Sequence, residues 1–187
     1  MKKLSVLAVV LMLGLVSGAA FGQVAPNPVY FVTYYSNNVA AAPDATVRVI
    51  NNGETFGLLW ADYYVFDDSQ ELTQCCSCLI TPDGINSESV RNNLTINPIT
   101  GKVPTRGVIK ILGSRIPGAA AVLLSPGLDG FATHVQATSA TTYAVTEAPL
   151  LGETLGAGEF ALLESLCGFS YLLSGSPCTC TPEDHDF

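Results

Sequence analysis

Apolar positions recur with period two along most of this chain, and with period three to four only once, near its C-terminal end. Residues 29–35 (VYFVTYY) are β-branched and aromatic on both faces, which predicts a strand with much to bury. Residues 46–50 alternate, with Val47 and Val49 on one face and Arg48 on the other, the pattern of a half-buried strand. Asn51-Asn52-Gly53-Glu54 then supplies turn chemistry, since Asn-Gly tolerates positive φ. The run 57–66 (GLLWADYYVF) places Leu59, Ala61, Tyr63 and Val65 on one face and Leu58, Trp60, Asp62, Tyr64 and Phe66 on the other. Both faces are largely apolar, so this is expected to be a central strand covered on both sides, with Asp62 the exception. A turn at 67–69 returns the chain through 71–80, which pairs with 57–66 as a hairpin.

Pro82-Asp83-Gly84 marks the next turn. Further strands are predicted at 90–96, 107–112, 131–138 and 141–146, and 119–124 reads as a strand or a short helical turn. His134 alternates with Ala132 and Gln136 and is expected to face solvent. Near residue 155 the period changes. Phe160, Leu163, Cys167 and Tyr171 recur at helical spacing, with Leu162, Leu166 and Phe169 widening the stripe. Glu159 suits the first turn and Gly175 the C-cap, so a helix is predicted over about 158–173. The fold class is therefore mainly β: an antiparallel β-sandwich, immunoglobulin-like or related, with one C-terminal helix and a disulfide-tied tail at 176–187.

The first residues set the expected compartment. Lys2 and Lys3 precede an apolar run at 4–16, and small residues lead to Ala20-Phe21-Gly22. This is the layout of a secretory signal peptide over 1–22, leaving one domain at 23–187. The product is expected to be secreted, periplasmic or held at the cell surface, with no membrane span after cleavage of the leader.

That compartment gives the cysteines their meaning. Three of the six stand in Cys75-Cys76-Ser77-Cys78, and the others are Cys167, Cys178 and Cys180. An even count in an exported chain points to disulfides. On a strand Cys76 and Cys78 share a face and Cys75 takes the other. Cys76 and Cys78 are thus expected to bond Cys178 and Cys180 in some order, with Cys75 meeting Cys167 on the helix. The competing arrangement is a local Cys167–Cys178 bridge. Two other uses of the sulfurs stay open: a redox pair at Cys75 and Cys78, and a soft metal site that would add His185.

Charge narrows the partners. Eight basic residues stand against sixteen acidic ones, and two of the eight are Lys2 and Lys3. Such a surface repels nucleic acid. No Gly-x-Ser-x-Gly, His-Glu-x-x-His or phosphate loop occurs, so no catalytic residue, metal ligand or cofactor is assigned. Trp60, Asp62, Tyr64, Asp67 and Asp68 form a candidate ligand surface, because aromatics beside acids are a common sugar-binding composition. The same carboxylates are what a polysaccharide hydrolase would need. Asn93-Leu94-Thr95 fits a glycosylation acceptor. The expected function is an exported, non-catalytic structural or binding protein: a surface, matrix or filament subunit, or an adhesion module. Self-association by exchange of the 29–35 strand and contact with carbohydrate are its candidate modes of partnership.

Overall fold

The computed structural model describes residues 28–36, 42–95, 97, 100–101, 103–139, 142–174 and 180–181. The expected leader, the Gly175 cap, Cys178 and His185 lie outside the described residues. Among the described residues, eight strands form two antiparallel sheets: β1 (Tyr30–Ser36), β2 (Thr46–Asn51), β3 (Leu59–Asp67), β4 (Leu72–Ile80), β5 (Ile85–Ser89), β6 (Arg106–Ser114), β7 (Leu128–Ala137) and β8 (Tyr143–Pro149). One sheet has the order β1-β6-β3-β4 and the other β5-β2-β7-β8. In an immunoglobulin domain strands one, two, five and four share a sheet. The described strands are ordered differently in this antiparallel β-sandwich. Helix α1 (Ala157–Ser174) lies against the outer face of the first sheet. No helix among the described residues is long and apolar enough to cross a membrane.

The continuous apolar run of β3 follows from its place between β4 and β6. Leu59, Ala61, Tyr63 and Val65 enter the core between the sheets, with Phe31, Val47, Val49, Ile109 and Ile111. Tyr64 and Phe66 enter a second core under α1, with Leu112, Ala119 and Leu163. The helix stripe is narrower than its sequence suggests. Leu163 and Cys167 are buried, whereas Leu162 and Phe169 are exposed.

Register sorts the cysteines. In β4, Cys75 stands opposite Tyr64 and so faces α1, while Cys76 and Cys78 stand opposite Tyr63 and Ala61 and face the inter-sheet core. Strand β1 pairs with β6 of the same chain from Tyr30 to Ser36, and its free edge meets Gly152 and Glu153.

Two local expectations are corrected. Residues 90–94 form a single π-helical turn rather than a strand, capped by Ser89 Oγ, which accepts from Asn92 N. Asp44 secures the same corner, accepting from Arg91 N and Ser89 Oγ. The strand lies just before, as β5 (INSES), which sequence pattern alone does not reveal because its inward residues are Asn86 and Glu88. His134 is buried, not solvent-facing. The edge of β1 closes over it: Thr33 Oγ1 lies 3.0 Å from Nε2, and Tyr34 stacks on the imidazole.

Candidate functional site

The two long disulfides fix both C-terminal elements to β4. Cys75 bonds Cys167 on α1, and Cys78 bonds Cys180 in the tail. The local Cys167–Cys178 alternative is thereby excluded, and so is a redox pair of Cys75 with Cys78, since each bonds a different partner. Cys76 is also disulfide-bonded, and among the described residues no cysteine is free. The sulfurs of Cys76, Cys78 and Cys180 lie within 4.8 Å of one another. That closeness reflects disulfide bonding, and a bonded sulfur is not the thiolate that a zinc or copper(I) site requires.

A buried polar socket holds the tail beside its disulfide. Glu88, fully buried on β5, accepts from Thr181 N at 2.8 Å and Thr181 Oγ1 at 3.1 Å. Asn86 Nδ2 donates to Glu88 Oε1 and to Thr181 O, while its own Oδ1 accepts from Tyr63 Oη. Asn93 Nδ2 donates to Thr181 Oγ1, so the amide of the glycosylation sequon is engaged with the tail. The socket explains why β5 can bury polar residues: their partners come from nearly a hundred residues away.

The expected ligand surface is split by the fold. Tyr64 is fully buried and donates through Oη to Ala119 O at 2.6 Å. Asp62 is also fully buried, beneath α1, with neither carboxylate oxygen hydrogen-bonded among the described residues. These two residues do not form a ligand surface, because the helix covers the face of β3 that carries them. Burial, opposed by the hydroxyl of Ser77 and reinforced by the charge of Glu164, pushes the Asp62 carboxyl up to about 7. The Ser77 hydroxyl lies beside it without reaching hydrogen-bond geometry. Trp60 is half-buried.

Asp67 and Asp68 lie elsewhere, at a cleft where the β3–β4 turn meets β1, β6 and α1. Asp67 Oδ1 accepts from Ser69 N and Glu71 N, which makes it the keystone of the turn. Asp68 pairs with Arg106 Nε at 2.7 Å. The cleft has two adjoining lobes. One, of about 450 Å³, is walled by Phe66, Val108, Leu162 and Leu166 with Lys110 at its side. The other, of about 580 Å³, is lined by Tyr34, Tyr35, Asp68, Arg106 and Gln136 among others.

Two features mark the second lobe as the candidate site. Tyr34 is 44% exposed, and its ring lies parallel to the His134 imidazole at 4.0 Å, so it presents a backed aromatic plate. Gln136 Nε2 donates to its hydroxyl. Tyr35 Oη lies at the floor, buried and without a hydrogen-bond partner among the described residues. Burial, then the charges of Asp67 and Asp68, raise the Tyr35 hydroxyl well above the ordinary tyrosine range, so it stays a donor. Gly107 makes room for it: a Cβ there would fall 1.9 Å from Phe66 O and 2.8 Å from Tyr35 Oη.

The sequence pattern points to Asp67 and Asp68 but not to Tyr34, Tyr35, Arg106 and Gln136. Those four come from β1, β6 and β7, and no local spacing joins them. The one trace is the doubled tyrosine at the end of β1, more aromatic surface than a single strand end needs. No protein-family model matches the chain, and neither a curated protein nor a solved structure matches it.

Proposed function

We propose that this chain is an exported, non-catalytic structural or binding module of a cell surface, matrix or filament, in which a disulfide-tied sandwich holds the Tyr34–Arg106 cleft as its contact surface. The carrying observation is the pair of disulfides that span 92 and 102 residues. Bonds of this kind form and persist in oxidising compartments. The leader pattern at 1–22 agrees with export. As in immunoglobulin-like modules, rigid sheets would carry the contact residues at one end.

The carboxylates that a polysaccharide hydrolase would need are each committed elsewhere. Asp62 is closed under the helix, Asp67 holds its turn and Asp68 pairs with Arg106. Among the described residues, the sulfurs of a thiol metal site are likewise committed to disulfides.

Expression of the full chain in an export-competent bacterial host tests the proposal. The released product is expected to begin near Gln23 and to show no free thiol under denaturing alkylation. Retention in the cytoplasm with the leader intact, or release with reactive thiols, would overturn it.

A further inference from the structure

Building on the binding reading above, we infer that the polar lobe of the cleft takes a neutral saccharide, with one sugar ring laid on Tyr34 and its hydroxyls held by Gln136, Tyr35 and the Arg106–Asp68 pair. A pyranose has a face of C–H bonds and an equatorial rim of hydroxyls, each of which both donates and accepts. The face needs a flat, rigid π surface. Tyr34 is such a surface, half open and locked from behind by the His134 ring, which lies within 5° of parallel. The rim needs mixed donors and acceptors in one small area. Arg106 and Asp68 offer guanidinium N–H groups beside a carboxylate, and Gln136 adds an amide within reach of the Tyr34 hydroxyl.

Tyr35 decides between a decorated surface and a site. The residue is only 1% exposed, and its hydroxyl has no hydrogen-bond partner among the described residues. An unpaired buried hydroxyl costs free energy, and a ligand oxygen at the cleft floor would satisfy it. The charge balance selects a neutral ligand. The guanidinium of the lobe is already neutralised by Asp68, and Asp67 adds negative charge nearby, which disfavours anions. The adjoining apolar lobe offers the alternative occupant, an aromatic or aliphatic side chain of a partner peptide.

The test is a titration of the disulfide-intact exported protein, followed by amide chemical shifts. The probes are the methyl glycosides of glucose, galactose, mannose and N-acetylglucosamine, with N-acetyl-tryptophanamide as the peptide-like probe. At least one glycoside should shift the amides of Tyr34, Arg106 and Gln136 saturably. Tyr34→Ala should weaken that response by about tenfold. Tyr34→Phe keeps the plate and should stay within about twofold, which separates loss of stacking from loss of fold. If no glycoside moves the cleft but the tryptophan amide does, the saccharide inference fails while the binding reading stands. If no probe moves it, both fail. A glycoside response that survives in Tyr34→Ala also overturns the inference.

Discussion

Replacing Cys75 and Cys167 together by alanine is expected to cost about 4 to 5 kcal/mol of stability, because their bond closes a loop of nearly a hundred residues in the unfolded chain. Domains of ordinary size are stable by only about 5–15 kcal/mol, so the variant should be marginal. The structural consequence is local as well as global. Cys75 and Cys167 sit in the second core with Tyr64, Leu112, Ala119 and Leu163, and α1 is the lid of that core. Without the bond, α1 keeps the Lys110–Glu159 ion pair and the bond from Val122 N to Glu164 Oε1. Neither equals a covalent link. Urea unfolding of the variant against the parent measures the loss, and amide exchange should show α1 opening ahead of the sheets. A loss under about 1 kcal/mol would mean that α1 is held by packing alone.

The opposite sign is expected at Asp62. Asp62→Asn should stabilise the protein above neutral pH, because the native carboxyl is buried without hydrogen bonds and titrates near 7 rather than 3.8. The folded state holds the proton to higher pH than the unfolded state does. Below the unfolded value both states are protonated, and the carboxyl carries no charge penalty. Between 3.8 and about 7 only the unfolded chain ionises, and stability falls as pH rises. Above about 7 the full penalty applies, on the order of 4 kcal/mol at about 1.4 kcal/mol per pH unit. Among the described residues, the charged or polar groups that act on Asp62 or feel its charge are Glu164 and Tyr171 on α1, Tyr64 on β3, Ser77 on β4 and Ser114 on β6. None is cationic. Unfolding measured at pH 4 and pH 8 should therefore give parent and variant similar stability at the lower pH and a clear advantage to the variant at the higher. Equal stability at pH 8 would show that the carboxylate finds compensation on ionising.

The divide between legible and illegible features has a physical cause. Period two in 57–66 and in Cys75–Cys78 reports which face each side chain takes, because strand alternation depends on the backbone alone. That is why the central strand and the opposed directions of Cys75 and Cys78 can be read from sequence, and with them the Cys75–Cys167 link. Strand β5 breaks the apolar rule at Asn86 and Glu88, since Thr181 supplies their hydrogen bonds, and a partner so distant leaves no local trace. His134 escapes the pattern for the same reason: it is buried by Thr33 and Tyr34 of the other sheet. At the site, Asp67 and Asp68 stand out as a turn. Trp60, Asp62 and Tyr64 share their neighbourhood in sequence but not their exposure, because a late helix covers that face of β3. The cleft needs β1, β6 and β7 together, and that assembly exists only in the fold.

All of this depends on the C-terminal helix and tail being bonded to β4. Mass spectrometry of a non-reduced digest tests that most directly. The expected result is a cross-linked species that joins the 75–78 segment to peptides carrying Cys167 and Cys180. Bonds confined within 75–78, or within 167–180, would contradict it.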